Sequence, residues 1–144
     1  MESFTIGKVV VPATIENLDE VNAVLEGRLS SDQVRRLEVS EASVDTGATL
    51  LAMPAALIRR LGLKLLPPRP AKTPTGPTHF GVYQAVRLTV QGRDCDVRVT
   101  EIDDSCPVLI GYIALEMLDF VVDPRGQRLI GNPDHGGDHM IDMY

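Results

Sequence analysis

The strongest constraint on this chain is a single acidic turn with the sequence Ser43-Val44-Asp45-Thr46-Gly47-Ala48-Thr49. An apolar residue leads into an aspartate, as expected for a carboxylate at the end of a buried strand. Gly47 has no Cβ, so the backbone can come close to whatever the carboxylate faces. The two threonine hydroxyls can fix the turn through local hydrogen bonds. Because Asp, Thr and Gly are also ordinary turn residues, the meaning of this turn depends on the rest of the chain.

A second apolar element further along the chain supplies that context. It reads Leu109-Ile110-Gly111 and stands directly before a short predicted helix. The pair of motifs, in this order, resembles the retropepsin-like (retroviral-type) aspartic peptidases, which carry Asp-Thr-Gly-Ala and later a buried apolar pair ending in Gly. The resemblance covers roughly residues 44–130. We expect a bacterial, single-domain member of that family.

The resemblance implies a role for each residue of the two motifs. Asp45 is the expected catalytic residue. The residues after it form the expected active-site and substrate-binding loop: Thr46, Gly47, Ala48 and Thr49. A second buried loop consists of Leu109, Ile110 and Gly111. The implied fold is mostly β, a closed barrel equivalent to one lobe of an acid protease, with two or three short helices.

Residues 73–78 read Thr-Pro-Thr-Gly-Pro-Thr and form a predicted turn between two extended arms. In the resembled family a β-hairpin flap folds over the substrate at this point. We therefore expect the flap tip near Thr75 and Gly76, with arms reaching about Ala71 and Val82. The two prolines allow less backbone freedom than the glycine-rich flaps of the family. A plain surface hairpin is the alternative interpretation.

The rest of the chain has the pattern of short strands with few helices. Strands are predicted over residues 6–15, 37–44, 86–90, 95–99, 108–110, 120–122 and 127–130. Helices are predicted over residues 54–61 and 112–118. A helical insertion is predicted over about 17–34, with Asn17 as N-cap and Glu20 completing a capping box. This pattern favours one β-barrel-like domain over residues 1–131.

A polar tail is expected to follow over residues 132–144. It contains two His and two Asp within the stretch 134–139, a set that could in principle hold a metal ion. A polar, glycine-rich terminus is far more often loose. We therefore expect no metal site.

Composition argues against several other classes of function. The net charge of −6 opposes binding to a nucleic-acid backbone, which requires clustered Lys and Arg. No apolar run approaches the roughly 20 residues that a membrane helix needs, and the N-terminus lacks the pattern of a secretory signal. We expect a cytoplasmic protein that binds neither nucleic acid nor membrane. Cys95 and Cys106 are too few for a disulfide framework or a four-ligand zinc site, although a single disulfide stays open.

The number of motifs determines the expected assembly. An aspartic peptidase needs two carboxyl groups that share one water, one acting as general base and the other as acid. The 144 residues contain one Asp-Thr-Gly sequence, so we expect a two-fold homodimer in which each chain contributes Asp45. The resemblance gives Thr46 a hydrogen bond across the two-fold axis. The expected substrate is an extended peptide or protein, and the chemistry requires no cofactor.

Two other functions are compatible with an aspartate in such a turn. A phosphotransferase with Asp45 as nucleophile would need an accompanying lysine, partner carboxylates and a parallel α/β pattern, and the sequence has none of these. A non-catalytic peptide-binding or dimerisation domain that retains the retropepsin fold is the more serious alternative. The presence of Asp45-Thr46-Gly47-Ala48 as a complete unit favours the enzyme.

Overall fold

The computed structural model describes residues 9–73 and 76–140, and ten short strands dominate this part of the chain. The strands are β1 (Val10–Asn17), β2 (Arg36–Val44), β3 (Leu51–Pro54), β4 (Arg69–Thr73), β5 (Gly76–Phe80), β6 (Val82–Val90), β7 (Arg93–Ile102), β8 (Leu109–Ile110), β9 (Phe120–Asp123) and β10 (Arg128–Gly131). Six of these form a closed barrel in the order β1-β2-β8-β3-β7-β6, in which β6 pairs back onto β1. The other four form two separate hairpins, β4–β5 and β9–β10.

Three α-helices connect the strands within the described ranges: α1 (Leu18–Leu25), α2 (Ala55–Leu61) and α3 (Tyr112–Leu118). Short 3-10 turns cover Ser31–Gln33 and Pro133–His135. The predicted fold, a mostly β closed barrel with two or three short helices, is therefore confirmed. Of the helices in this part of the chain, none combines the length and the apolar character that crossing a membrane requires.

The barrel core follows from the alternation of side chains along the strands. Every second residue over positions 11–15 of β1, 86–90 of β6 and 95–99 of β7 is apolar and points to the same face. These residues are buried in one cluster: Val11, Ala13, Ile15, Val86, Leu88, Val90, Cys95, Val97 and Val99. Residues from α2 and α3 join the same cluster, among them Leu61 and Leu118. The helices therefore pack on the barrel through the core that also fixes the strands.

The two cysteines stay unpaired. Cys95 lies in the core, whereas Cys106 is exposed, and both are free thiols. Burial, with smaller contributions from Asp96 and Asp94, raises the pKa of the Cys95 thiol to about 12. Cys95 is therefore a protonated packing residue at neutral pH.

The helical insertion between β1 and β2 is tied to the barrel through Asn17, which is buried. Its side chain accepts a hydrogen bond from the Glu20 amide (3.1 Å), as predicted for an N-cap, and its Nδ2 donates to the Leu61 carbonyl oxygen (2.8 Å). The predicted capping box does not form. The Glu20 carboxylate instead accepts from the Arg35 amide (2.8 Å) and from Arg35 Nε (2.9 Å), and this lowers the pKa of Glu20. Charge-assisted bonds to a guanidinium are stronger than a reciprocal cap bond, which explains the change of partner.

Residues 132–140 of the predicted tail fold back onto the end of α3 instead of lying loose. Asp119 ends that helix in the left-handed conformation (φ 59°) and is buried. Its carboxylate receives hydrogen bonds from His135 Nδ1 (2.6 Å), the Met140 amide (3.0 Å) and Asn132 Nδ2 (3.4 Å). The buried Asp119 carboxylate therefore binds this segment at three residues.

Arg93, the first residue of β7, completes the attachment. Its guanidinium donates to the carbonyl oxygens of Leu118 (3.1 Å), Asp119 (2.8 Å) and Gly137. It also lies 4.5 Å from the centre of the Phe120 ring, within the range of a cation–π contact. The segment is therefore joined to both the barrel and α3 by polar contacts. Sequence pattern alone misses this docking, because none of residues 132–140 is buried.

We expect Asp119→Asn to loosen residues 132–140. Asn tolerates the left-handed backbone, but it lacks the charge that strengthens the bonds from the three donors. Amide hydrogen exchange across residues 132–140 should be faster in this variant than in the unmodified chain. Asp138→Asn, an exposed change in the same segment, is the matched control and should leave the exchange unchanged. Equal exchange in both variants would mean that the docking does not depend on the Asp119 carboxylate.

The same carboxylate gives the docking a pH dependence. The hydrogen bond from His135 is the largest cause of the lowered pKa of Asp119. A lowered pKa means that the docked state favours the ionised carboxylate, so the stabilisation is complete above the ordinary Asp range of about 3.9. It is lost as the pH falls through the lowered pKa of Asp119. Exchange in residues 132–140 should therefore approach that of Asp119→Asn only under strongly acidic conditions.

Candidate active site

The Asp45 turn begins where β2 ends. Val44 pairs with Ile110 of β8, and the Asp45 amide donates to the Ile110 carbonyl oxygen at 3.0 Å. The Asp45 Oδ1 atom accepts a hydrogen bond from the Gly47 amide at 2.9 Å, and the Asp45 carbonyl oxygen accepts one from the Ala48 amide at 3.0 Å. These bonds fold the chain into a tight turn, and a backbone amide of the turn orients the Asp45 carboxylate.

The turn lies at the surface of the protein. Asp45 and Ala48 are half-buried, while Thr46, Gly47 and Thr49 are exposed. A Cβ atom added to Gly47 would lie 3.2 Å from Asp45 Oδ1, so the glycine keeps space next to the carboxylate. The carboxylate can therefore be reached by a bound molecule or by a second protein chain.

The second predicted loop lies directly beside this turn, where the first amides of α3 bind its carbonyl oxygens. The bonds run from the Gly111 amide to Leu50 O (2.9 Å), from the Tyr112 amide to Ala48 O (2.9 Å) and from the Ile113 amide to Thr49 O (3.1 Å). The first amides of any helix have no partner inside the helix. Here the Asp45 turn supplies those partners, so the turn and α3 form one hydrogen-bonded unit.

Gly111 is the position at which this unit is tightest. A Cβ atom there would lie 2.2 Å from Leu50 O and 2.7 Å from Ala48 O. No side chain fits at such distances, because the obstructing atoms belong to the backbone. Leu109 and Ile110 form β8 between β2 and β3, and Ile110 is fully buried. The structure therefore brings together residues 45–49 and 109–111.

Two exposed apolar side chains flank the turn, and sequence reasoning did not single them out. Val10 of β1 lies opposite Ser43 in the β1–β2 pairing and is 43% exposed. Tyr112 follows Gly111 and is 44% exposed. For Tyr112, the sequence signal was only that a large aromatic residue begins a helix, and this signal is weak by itself. Their exposure next to Asp45 makes them candidates for contact with another molecule.

The predicted flap corresponds to the hairpin of β4 and β5. These strands pair from Arg69 opposite Phe80 to Thr73 opposite Gly76. Gly76 is the first residue of β5, whereas Thr75 lies outside the described residues. The hairpin forms its own two-stranded sheet apart from the barrel strands. The predicted hairpin is present, and its role as a flap stays a prediction.

The described part of the chain offers no metal-binding cluster: residues 9–73 and 76–140 contain no group of three or more His, Cys, Asp or Glu side chains placed to hold an ion. The His135–Asp119 pair in the C-terminal segment is engaged in docking that segment. The functional group that the Asp45 turn presents is a carboxyl group, which can transfer protons and form hydrogen bonds.

Comparison with known proteins gives a matching family model and similar solved structures. Residues 35–117 match the model of the family described as "gag-polyprotein putative aspartyl protease". The chain is also similar to the solution structure of the simian foamy virus (mac) protease, with 19% sequence identity and a TM-score of 0.46. That match covers 76% of this chain and 93% of the viral chain. No curated protein matches the sequence.

The family match spans more than half of the 144 residues and contains both the Asp45 turn and the residues of Gly111 and α3 that hold it. The chain therefore belongs to the aspartyl protease family of gag polyproteins, the retropepsin-like aspartic proteases.

Proposed function

We propose that this protein is an aspartic endopeptidase that hydrolyses peptide bonds as a homodimer. The observation that carries the proposal is the unit formed by the Asp45 turn and the first amides of α3. Each chain supplies one such unit, and the chemistry needs two carboxyl groups. The protease family to which the chain belongs supports the peptidase activity in general terms.

In the proposed reaction, the two Asp45 side chains hold one water between them. One carboxylate takes a proton from that water as it attacks the scissile carbonyl carbon, and the other carboxyl group, protonated, donates to the carbonyl oxygen. Two carboxyl groups this close do not both ionise easily, so they share one proton and titrate as a pair. The tetrahedral intermediate then collapses as its C–N bond breaks: the first carboxyl group gives its proton to the leaving nitrogen, and the second carboxylate takes a hydroxyl proton from the intermediate. The dyad again holds one shared proton, and the reaction uses no cofactor.

The surface around Asp45 supports a two-fold dimer. Val10 and Tyr112 are exposed apolar side chains beside the turn, where a second copy would cover them. Within the described ranges, β9 and β10 pair only with each other, so their outer edges are available for strand pairing. Thr46, exposed at the turn, would hydrogen-bond across the two-fold axis.

The substrate is proposed to be an extended peptide or protein segment. The loop of Gly47 and Ala48 lies at or near the surface and would contact such a segment as an added strand. The Gly47 carbonyl oxygen would accept the bond, because the amides of both residues and the Ala48 carbonyl oxygen already bind within the protein. Thr49 is the last residue of the same loop. The β4–β5 hairpin, with the tip near Thr75 and Gly76, is proposed to cover the bound segment as a flap.

Asp45→Asn should abolish peptide hydrolysis without unfolding the protein. The amide has nearly the same size and keeps an oxygen for the Gly47 bond, but it can neither accept nor share the proton. We expect the rate to fall by at least roughly 10²–10⁴-fold in a fluorogenic peptide-library assay. Asp94→Asn, an exposed change on β7, is the matched control and should keep full activity. Undiminished cleavage by folded Asp45→Asn would place the activity elsewhere.

The dimer is tested by mixing chains. After unfolding and refolding together, equal amounts of unmodified and Asp45→Asn chains should give about one quarter of dimers with two Asp45 residues. Activity per total chain should therefore fall to about a quarter of the unmodified value, whereas independent monomers would give about one half. Specific activity of the unmodified protein should also fall on dilution below the dimer dissociation constant. A stable dimer that never cleaves would favour the non-catalytic peptide-binding or dimerisation domain.

Gly111→Ala tests whether the hydrogen-bonded unit is needed for activity. The added Cβ would meet Leu50 O at 2.2 Å, so the turn or α3 must move. Overpacking of this kind costs about 1–3 kcal/mol, and we expect both the melting temperature and the activity to fall. Glu116→Ala, an exposed change on α3, is the control and should keep both the melting temperature and the activity. Full activity in Gly111→Ala would contradict the requirement for a fixed turn.

A further inference from the structure

A groove runs along one edge of β2, outside the Asp45 turn. Its volume is about 540 Å³, and six consecutive residues of β2, 36–41, line it. Successive side chains of a strand point to opposite faces of the sheet. A groove on a sheet face would therefore be lined by alternate residues, so this one follows the backbone edge of the strand. We call it the β2-edge groove.

Among residues 9–73 and 76–140, β8 is the one strand that pairs with this side of β2, and it is much shorter than β2. On one side, β1 pairs with β2 from Arg36 to Ser43, whereas on the other side β8 covers only Ser43 and Val44. The Asn17 amide donates to Arg35 O at 3.0 Å, so alternate backbone groups starting at residue 35 face β1. The backbone groups of Arg36 and Glu38 therefore face the groove. The edge presents donors and acceptors at the spacing of a β-ladder.

The opposite wall of the groove is made of α2 and the loop before β8. Its residues are Pro54, Ala56, Leu57, Arg60, Asp104, Cys106, Pro107 and Val108. The Asp104 carboxylate accepts a hydrogen bond from the Ala56 amide at 3.1 Å, which fixes the loop to the start of α2. Val39 and Leu57 pack against the core, and Val108 is buried. One wall is therefore a polar backbone edge, and the other is largely apolar.

The charges around the groove are predominantly negative. Glu38, Glu41 and Asp104 lie on it, against the guanidinium of Arg60. Arg36 also lines the groove, but its guanidinium binds Glu16 at 2.8 Å. A ligand with positive side chains at the rim is therefore favoured over an acidic one.

We propose that the β2-edge groove binds an extended peptide segment of a partner protein, which adds as a strand to β2. Its backbone pairs with Arg36 and Glu38, its apolar side chains contact the wall of α2, and its basic side chains lie near Glu38 and Glu41. The site is separate from the Asp45 turn, so the proposal does not depend on peptidase activity.

The probe for this site is the synthetic peptide Lys-Val-Lys-Val-Lys-Val-Lys with blocked ends. Backbone amide NMR of the full chain should show its largest shifts in residues 36–41 and 104–108. The peptide Glu-Val-Glu-Val-Glu-Val-Glu should bind at least about tenfold more weakly, because its charges repel the rim. Absence of binding by the basic peptide, or shifts spread evenly over the acidic surface, would overturn the proposal.

Two pairs of variants test whether the peptide binds in the groove or is only attracted by the negative charge of the protein. Ala56→Trp fills the groove from an exposed position of α2 and should weaken binding at least about tenfold, whereas Asn22→Trp, exposed on α1, should not. Glu38→Pro removes an amide that faces the groove, a change that edge strands tolerate. Glu38→Gln removes only the charge and should weaken binding less than Glu38→Pro does. Unchanged affinity in both Ala56→Trp and Glu38→Pro would show that the peptide binds elsewhere.

The last comparison distinguishes this site from the catalytic cleft. Asp45→Asn should bind the basic peptide as tightly as the unmodified chain does, even where it has lost all hydrolysis. If peptide binding is lost in Asp45→Asn and kept in Ala56→Trp, the peptide occupies the cleft and the proposal fails. If the unmodified protein shows no peptidase activity but still binds the basic peptide at residues 36–41, the proposed peptidase function is refuted and the proposed binding groove is supported.

Discussion

The local structure of this protein depends most on three hydrogen bonds between the start of α3 and the carbonyl oxygens of the Asp45 turn. These bonds satisfy two sets of unpaired backbone groups at once. A helix start has amides without partners, and a tight turn has carbonyl oxygens without partners. Because each supplies what the other lacks, neither needs ordered water or a side-chain cap. The absence of a side chain at Gly111 is what lets the two backbones approach so closely.

The sequence predicted the barrel and the position of the turn because both depend on short-range patterns. Alternating apolar residues in β6 and β7 and the Pro54 and Gly111 boundaries of α2 and α3 are visible in the letters alone. The register of the strands is not visible, because it is decided by packing across the barrel. The exposure of Val10 beside the turn and the open edge of β2 both follow from that register, and therefore neither was predicted.

Polar contacts were harder to predict than apolar ones. Asn17 and Asp119 are the two buried polar residues in the part of the chain that the structure describes, and each anchors a segment outside the barrel. Asn17 attaches the α1 insertion to α2, and Asp119 attaches residues 132–140 to α3. In both cases a partner that fixes the segment is a main-chain group distant in sequence, the Leu61 carbonyl oxygen for Asn17 and the Met140 amide for Asp119. Composition therefore suggested a loose C-terminal tail, whereas a few hydrogen bonds hold residues 132–140 in place.

The unequal environments of the two thiols have a practical consequence. Cys95 is enclosed in the core and stays protonated at neutral pH, whereas Cys106 is exposed on the wall of the β2-edge groove. Alkylating reagents act on accessible thiolates, so a maleimide dye or spin label added to the folded protein would attach to one position. The native chain thus carries a site for spectroscopic labelling beside the groove, and no cysteine has to be removed or introduced first.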